Sequence, residues 1–91
     1  MIKIKRQSKQ ISELKKGDRV LIDGKGLIVD AHYLFMDHKT TKEMTIEVYS
    51  EKTDKDYQIR YFDDQVETSL EFYALENDFQ YTRKEVNEIE W

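Results

Sequence analysis

Cysteine and proline are both absent from this chain of 91 residues, and glycine occurs only three times. Without cysteine there is no disulfide, no thiolate metal site and no thiol nucleophile, and a reducing compartment is the natural setting. Without proline a common helix-stopping and turn-forming signal is missing. Apolar residues are scarce too, at 38% against 37% charged. No apolar run approaches the roughly 20 residues that span a bilayer. The basic opening, Met1 to Arg6, has no apolar stretch behind it, so no secretory signal is expected. The expectation is a cytoplasmic protein with no membrane partner.

What the chain does have is aromatic residues: six Tyr, four Phe and one Trp. Each buries a large area, so a small core is within reach, and a disordered chain would lack them. The length suits one domain over residues 1–91. The net charge of −4 conceals a gradient. Residues 1–29 hold eight Lys/Arg against three acids, and residues 63–91 hold two against nine. This predicts a basic front and an acidic back. The alternative is a barrel that brings the ends together, so that the two charges partly neutralise.

Alternation supplies the strands. Arg19–Asp23 is short and β-branched, and Asp23-Gly24-Lys25-Gly26 is a tight hairpin turn. A long strand follows over Leu27–Met36, with Leu27, Val29, Ala31, Tyr33 and Phe35 on the expected core side. Met44–Ser50 places Met44, Ile46 and Val48 inward. Tyr57–Phe62 alternates Tyr57, Ile59 and Tyr61 against Gln58, Arg60 and Phe62. Residues 1–10 suit either an edge strand or a mobile basic arm. Residues 12–16 suit a helical turn, with Ser12 as its cap and Gly17 as its left-handed exit. Val66–Leu75 reads as a strand with a competing helical stripe. Thr82 to Glu85 matches a capping box and predicts a short C-terminal helix. A strand carrying Asn87, Ile89 and Trp91 on one side is the competitor.

The stretch Leu14-Lys15-Lys16-Gly17-Asp18-Arg19-Val20-Leu21-Ile22-Asp23-Gly24-Lys25-Gly26-Leu27-Ile28-Val29 resembles the opening of small SH3-like barrels, including KOW and Tudor-type modules. The resemblance implies a mainly β fold, a small SH3-like barrel of about five antiparallel strands. It carries over no ligand-binding residues, since neither a Tudor aromatic cage nor an SH3 peptide groove is present. Fold alone does not give function.

Catalytic constellations are missing, and no enzyme activity or cofactor is expected. Gly24-Lys25-Gly26 is too short for a phosphate loop. Asp30, His32, Asp37 and His38 suggest a metal site only if a further ligand joins them; polar surface residues are the simpler reading, and no metal is expected. Asp63-Asp64 suits a turn better than acid–base work. Two binding surfaces remain. The acidic back offers Glu71, Tyr73, Glu76, Asp78, Tyr81, Glu85, Glu88 and Trp91 to a protein partner of basic character, with aromatic anchors and steering carboxylates. The basic front offers Lys3, Lys5, Arg6, Lys9, Lys15, Lys16, Arg19 and Lys25 to nucleic-acid phosphates, although the net acidity opposes a dedicated nucleic-acid binder. Protein binding is the leading expectation. A chain this lean fits among phage or mobile-element proteins, as an inhibitor or adaptor of a basic host protein. Its long strands suggest edge pairing into a homodimer.

Overall fold

The computed structural model describes all 91 residues, Met1–Trp91. Eight strands form one curled sheet: β1 (Lys3–Arg6), β2 (Arg19–Ile22), β3 (Lys25–Asp37), β4 (Lys42–Tyr49), β5 (Asp56–Phe62), β6 (Glu71–Leu75), β7 (Tyr81–Lys84) and β8 (Glu88–Glu90). Their order across the sheet is β1-β8-β2-β3-β4-β5-β6-β7. A 3-10 turn at Ile11–Glu13 and one helical turn, α1 (Val66–Ser69), are the only helical segments. The mainly β expectation holds. The strand count rises from about five to eight because the N-terminal segment and the last third also pair. No helix is long and apolar enough to cross a membrane.

The hairpin chemistry around β2 follows from local residues. Asp23 and Gly24 both take positive φ, 49° and 82°, which matches the twist of a two-residue hairpin turn between Ile22 and Lys25. The Asp23 carboxylate then accepts the backbone N–H groups of Asn87 at 2.9 Å and Glu88 at 2.8 Å. The Asp23 N–H donates to the Glu88 carbonyl at 3.0 Å. The turn therefore holds the start of β8 as well as reversing the chain.

The C-terminal segment corrects one expectation. Residues 81–84 and 88–90 are strands and not a helix. The capping box fails because β7 pairs with β6 and because Ile89 lies between Ile4 of β1 and Ile22 of β2. Tertiary pairing of that buried Ile outweighs the weak helical preference of a short segment. Trp91 follows on, and its indole N–H donates to the Lys9 carbonyl at 2.7 Å. Ser8 and Arg6 complete the tie through backbone bonds to Trp91. Residues Lys3–Arg6 are thus an edge strand, running parallel to β8. The turn near residues 12–16 is displaced to Ile11–Glu13, with no side-chain cap, while Gly17 has the positive φ of 94° expected of it. Val66–Leu75 divides into α1 and β6.

The core fills the inside of the curl. Val20, Ile22, Leu27, Val29, Ile46, Val48, Ile59, Tyr61, Phe72, Ile89 and Trp91 are buried there, joined by Ile2, Ile11, Leu14 and Leu70. Tyr57 stacks on Phe72 with ring centroids 5.1 Å apart.

β3 departs from simple alternation. Val29 pairs with Val48, but Ala31 pairs with Glu47, so Asp30 is an extra residue without a partner in β4. Such a bulge inserts one residue and exchanges the faces of the residues that follow, here as far as Leu34; a second register shift then leaves Phe35 without a partner in β4 before Met36 pairs with Glu43. His32 consequently pairs with Ile46 on the core side, and Tyr33 pairs with Thr45 on the outer side. The expected inward set Ala31, Tyr33 and Phe35 is therefore wrong beyond the bulge: Tyr33 and Phe35 are exposed.

Two substitutions test these ties. Asp23→Ala is expected to lower unfolding stability by about 1–2 kcal/mol through lost bonds to a charged acceptor. Trp91→Ala is expected to lower it by about 3–5 kcal/mol through a core cavity. Urea titration followed by circular dichroism measures both, and a Trp91→Ala chain as stable as wild type would contradict the packing described.

Candidate functional site

The outer face of the sheet gathers side chains from five strands. Strand register sets them in rows, because directly paired residues share a face. One row runs Ala31, Glu47, Gln58, Tyr73, Arg83, and the next runs Tyr33, Thr45, Arg60, Glu71. Arg60 is central. Its guanidinium lies 4.6 Å from the centre of the Phe35 ring and 4.0 Å from that of Tyr73. Its Nε and one terminal nitrogen donate to the Gln58 side-chain oxygen at 3.0 and 2.8 Å. A planar cation between two rings and a fixed acceptor is held in one orientation.

Carboxylates and phenols frame this cation. Tyr33 donates to Glu47 at 3.1 Å and Tyr73 donates to Glu71 at 2.9 Å, while Glu71 also pairs with Arg83 at 3.2 Å. Burial pushes the phenols of Tyr33, Tyr73 and Tyr81 above their ordinary value, and the neighbouring carboxylates Glu47 and Glu71 add to the effect. All three rings stay neutral donors at physiological pH. Beneath them Thr45 is fully buried, and its hydroxyl has no hydrogen-bond partner.

The core side of β3 carries a different network. The His32 ring bonds the Leu14 carbonyl through Nδ1 and the Tyr61 hydroxyl through Nε2, both at 2.7 Å. A carbonyl only accepts, so Nδ1 carries a proton, and Nε2 shares the second hydrogen bond with the Tyr61 hydroxyl. Both ring nitrogens are engaged within the fold. No group of three or more His, Cys, Asp or Glu side chains is arranged to hold a metal ion. Burial raises the Tyr61 phenol to about 12, with the Asp63 charge adding to it.

The acidic set predicted from sequence divides. Glu71, Tyr73 and Tyr81 lie on the outer face with Arg60. Glu76 is bound to Lys84 at 2.6 Å, a contact that holds its carboxyl below the usual range. Asp78 sits in the β6–β7 turn beside Phe79, which is 93% exposed because the Asn77 side chain accepts the N–H groups of Phe79 and Gln80 and tightens the turn. Glu85 and Glu88 are exposed away from that face, near the β2–β3 turn. Trp91 is buried and is a core residue rather than an anchor.

The basic set is dispersed, and three of its eight members form ion pairs. Arg6 pairs with Glu90 at 2.7 Å, Lys9 with Asp18 at 2.7 Å, and Arg19 approaches Glu51 at 3.9 Å. The Lys9 ammonium, with the Lys15 backbone N–H, holds the Asp18 carboxyl below its ordinary value. Lys3 stands opposite Glu88 in register, and Lys5 shares a cleft with Glu88 and Glu90. Lys15 and Lys16 flank the His32 side of β3, while Lys25 lies beside Glu85 at the β2–β3 turn. The folded sheet brings the basic beginning against the acidic end.

Sequence reading missed Arg60, Phe35, Gln58 and Glu47 as members of one site. Gln58 and Arg60 do alternate outward, but only strand pairing aligns them with Tyr73, and only the bulge adds Tyr33 and Phe35. Comparison with protein-family models, curated proteins and solved structures gives no match.

Two measurements check this geometry. Thr45→Val, which removes the unpaired buried hydroxyl while keeping the shape, is expected to raise stability by about 1 kcal/mol in a urea titration. In an alkaline titration the Tyr61 phenol is expected to ionise near pH 12, well above the ordinary phenol range. Its raised value means that its contribution to stability is intact below the ordinary phenol range and is lost as pH climbs from about 10 to about 12. Tyr61→Phe should remove that part of the pH dependence; an unchanged alkaline unfolding profile would contradict it.

Proposed function

We propose that this chain is a non-enzymatic binding module that docks a protein partner on the outer face centred on Arg60. The observation that carries the reading is the Phe35–Arg60–Tyr73 stack, fixed by Gln58 and bordered by Tyr33, Tyr81, Glu47 and Glu71. Tyr and Arg held in one rotamer lose little entropy on binding, and they are the residue types that dominate interface energetics. The carboxylates on the face, with Glu76 and Asp78 near the protruding Phe79, favour a partner with basic residues around an apolar centre. The same character suits a cytoplasmic inhibitor or adaptor, of the compact kind found in phage and mobile elements, acting on a basic host protein. An SH3-like ancestry for residues 14–29 is compatible with this role. The face is less suited to nucleic acid, because its carboxylates would repel phosphates and the lysines of the N-terminal third stand among acids.

The test is affinity capture from the native host with nuclease present, comparing wild type with Arg60→Ala, Tyr73→Ala and a Lys3/Lys5/Lys15/Lys16→Ala variant. A captured protein should be lost with either outer-face change, each weakening binding at least about tenfold, and retained with the lysine changes. Capture that vanishes with nuclease, or that depends on the lysines and not on Arg60, would replace this reading with nucleic-acid binding.

A further inference from the structure

The sheet has three open strand edges, and they differ in chemistry. The free edge of β1 presents Lys3, Lys5 and Arg6, and the free edge of β7 presents Arg83 and Lys84. Charged side chains of this kind keep an edge from pairing with another chain. The third edge belongs to the far half of β3. β2 stops at the Arg19–Ile28 pair, and Val29 exchanges bonds with Gly17 and Asp18. Beyond Val29 no backbone hydrogen bond from outside the β3–β4 ladder reaches that edge. There the strand exposes four consecutive apolar residues, Tyr33 at 39%, Leu34 at 48%, Phe35 at 42% and Met36 at 51%. No lysine or arginine interrupts them.

We infer that this edge is the seat of a second copy of the chain, paired antiparallel about Leu34 so that two sheets join into one. The pairing pattern supports a like partner. A two-fold axis at Leu34 sets Tyr33 of each copy opposite Phe35 of the other, an aromatic cross-strand pair on the outer face. Past Phe35, where β3 carries a second extra residue, Asp37 of each copy comes toward the Ala31 end of the other strand, and Ala31 shares a cleft with Lys15 and Lys16. The axis at Leu34 also sets the two Arg60 faces on one continuous surface.

Sedimentation velocity of the full chain between about 1 μM and 1 mM tests the inference. The expected result is a monomer–dimer equilibrium. Leu34→Lys should weaken it at least about tenfold, whereas Lys84→Ala on the β7 edge should not. Asp37→Lys should weaken it as well, and combining Asp37→Lys with Lys15→Glu and Lys16→Glu should restore it. Amide hydrogen exchange of residues 31–36 in wild type should slow as concentration rises, which gives a readout independent of any variant. A chain that stays monomeric throughout the range, or a dimer indifferent to Leu34→Lys, overturns the inference. Slowed exchange at residues 31–36 caused only by an added host protein also overturns it, and assigns the edge to a foreign strand. Because the readout is self-association, its failure is distinct from failure of partner capture at Arg60.

Discussion

Asp30 is one residue more than β4 can pair, as Phe35 is again further along, and the first surplus sets the faces of His32 and Tyr33. Before it, Leu27 and Val29 fill the core in ordinary alternation. After it, His32 turns inward to the Leu14 carbonyl and Tyr61, while Tyr33 and Phe35 turn outward. Without Asp30 as an extra residue, Tyr33 would turn toward a core already filled by Ile46, Val48 and Ile59, and the imidazole would face solvent. The bulge therefore serves both sides of the sheet. It gives the core a hydrogen-bonded His–Tyr pair and turns Tyr33 outward, while the second shift falls at Phe35, whose ring meets Arg60.

A second constraint comes from the chain ends. A small sheet has long boundaries for its volume, and its core is correspondingly hard to close. Here the closure is made by β8 lying between β1 and β2, by Asp23 holding Asn87 and Glu88, and by Trp91 reaching the Lys9 carbonyl. The same closure offsets part of the charge gradient. Arg6 meets Glu90, and Lys3 meets Glu88 in register, so the two oppositely charged thirds stitch one seam instead of presenting two faces.

Much of the fold is legible from local chemistry. The Asp23-Gly24 turn follows from residues that accept positive φ, and β2, β4 and β5 follow from β-branched alternation. The capping box at Thr82–Glu85 misleads because its competitor, the burial of Ile89 and Trp91, depends on partners more than sixty residues away. The site is less legible than the fold. Glu71, Tyr73 and Tyr81 are visible as acidic and aromatic residues of the last third, but Arg60 and Gln58 look like ordinary outward residues until β6 is placed beside β5. Phe35 is assigned to the wrong face because nothing in the residues 29–31 marks a bulge: Val29-Asp30-Ala31 alternates as cleanly as a regular strand would.

The most direct measurement is the set of nuclear Overhauser contacts of the Phe35 ring in the wild-type chain in solution. The bulged strand predicts contacts from Phe35 to the Arg60 side chain and none to Ile46 or Val48, with the Arg60 resonances shifted upfield between the two rings. Contacts from Phe35 to Ile46 and Val48 would contradict it, and would remove the outer face on which the binding role rests.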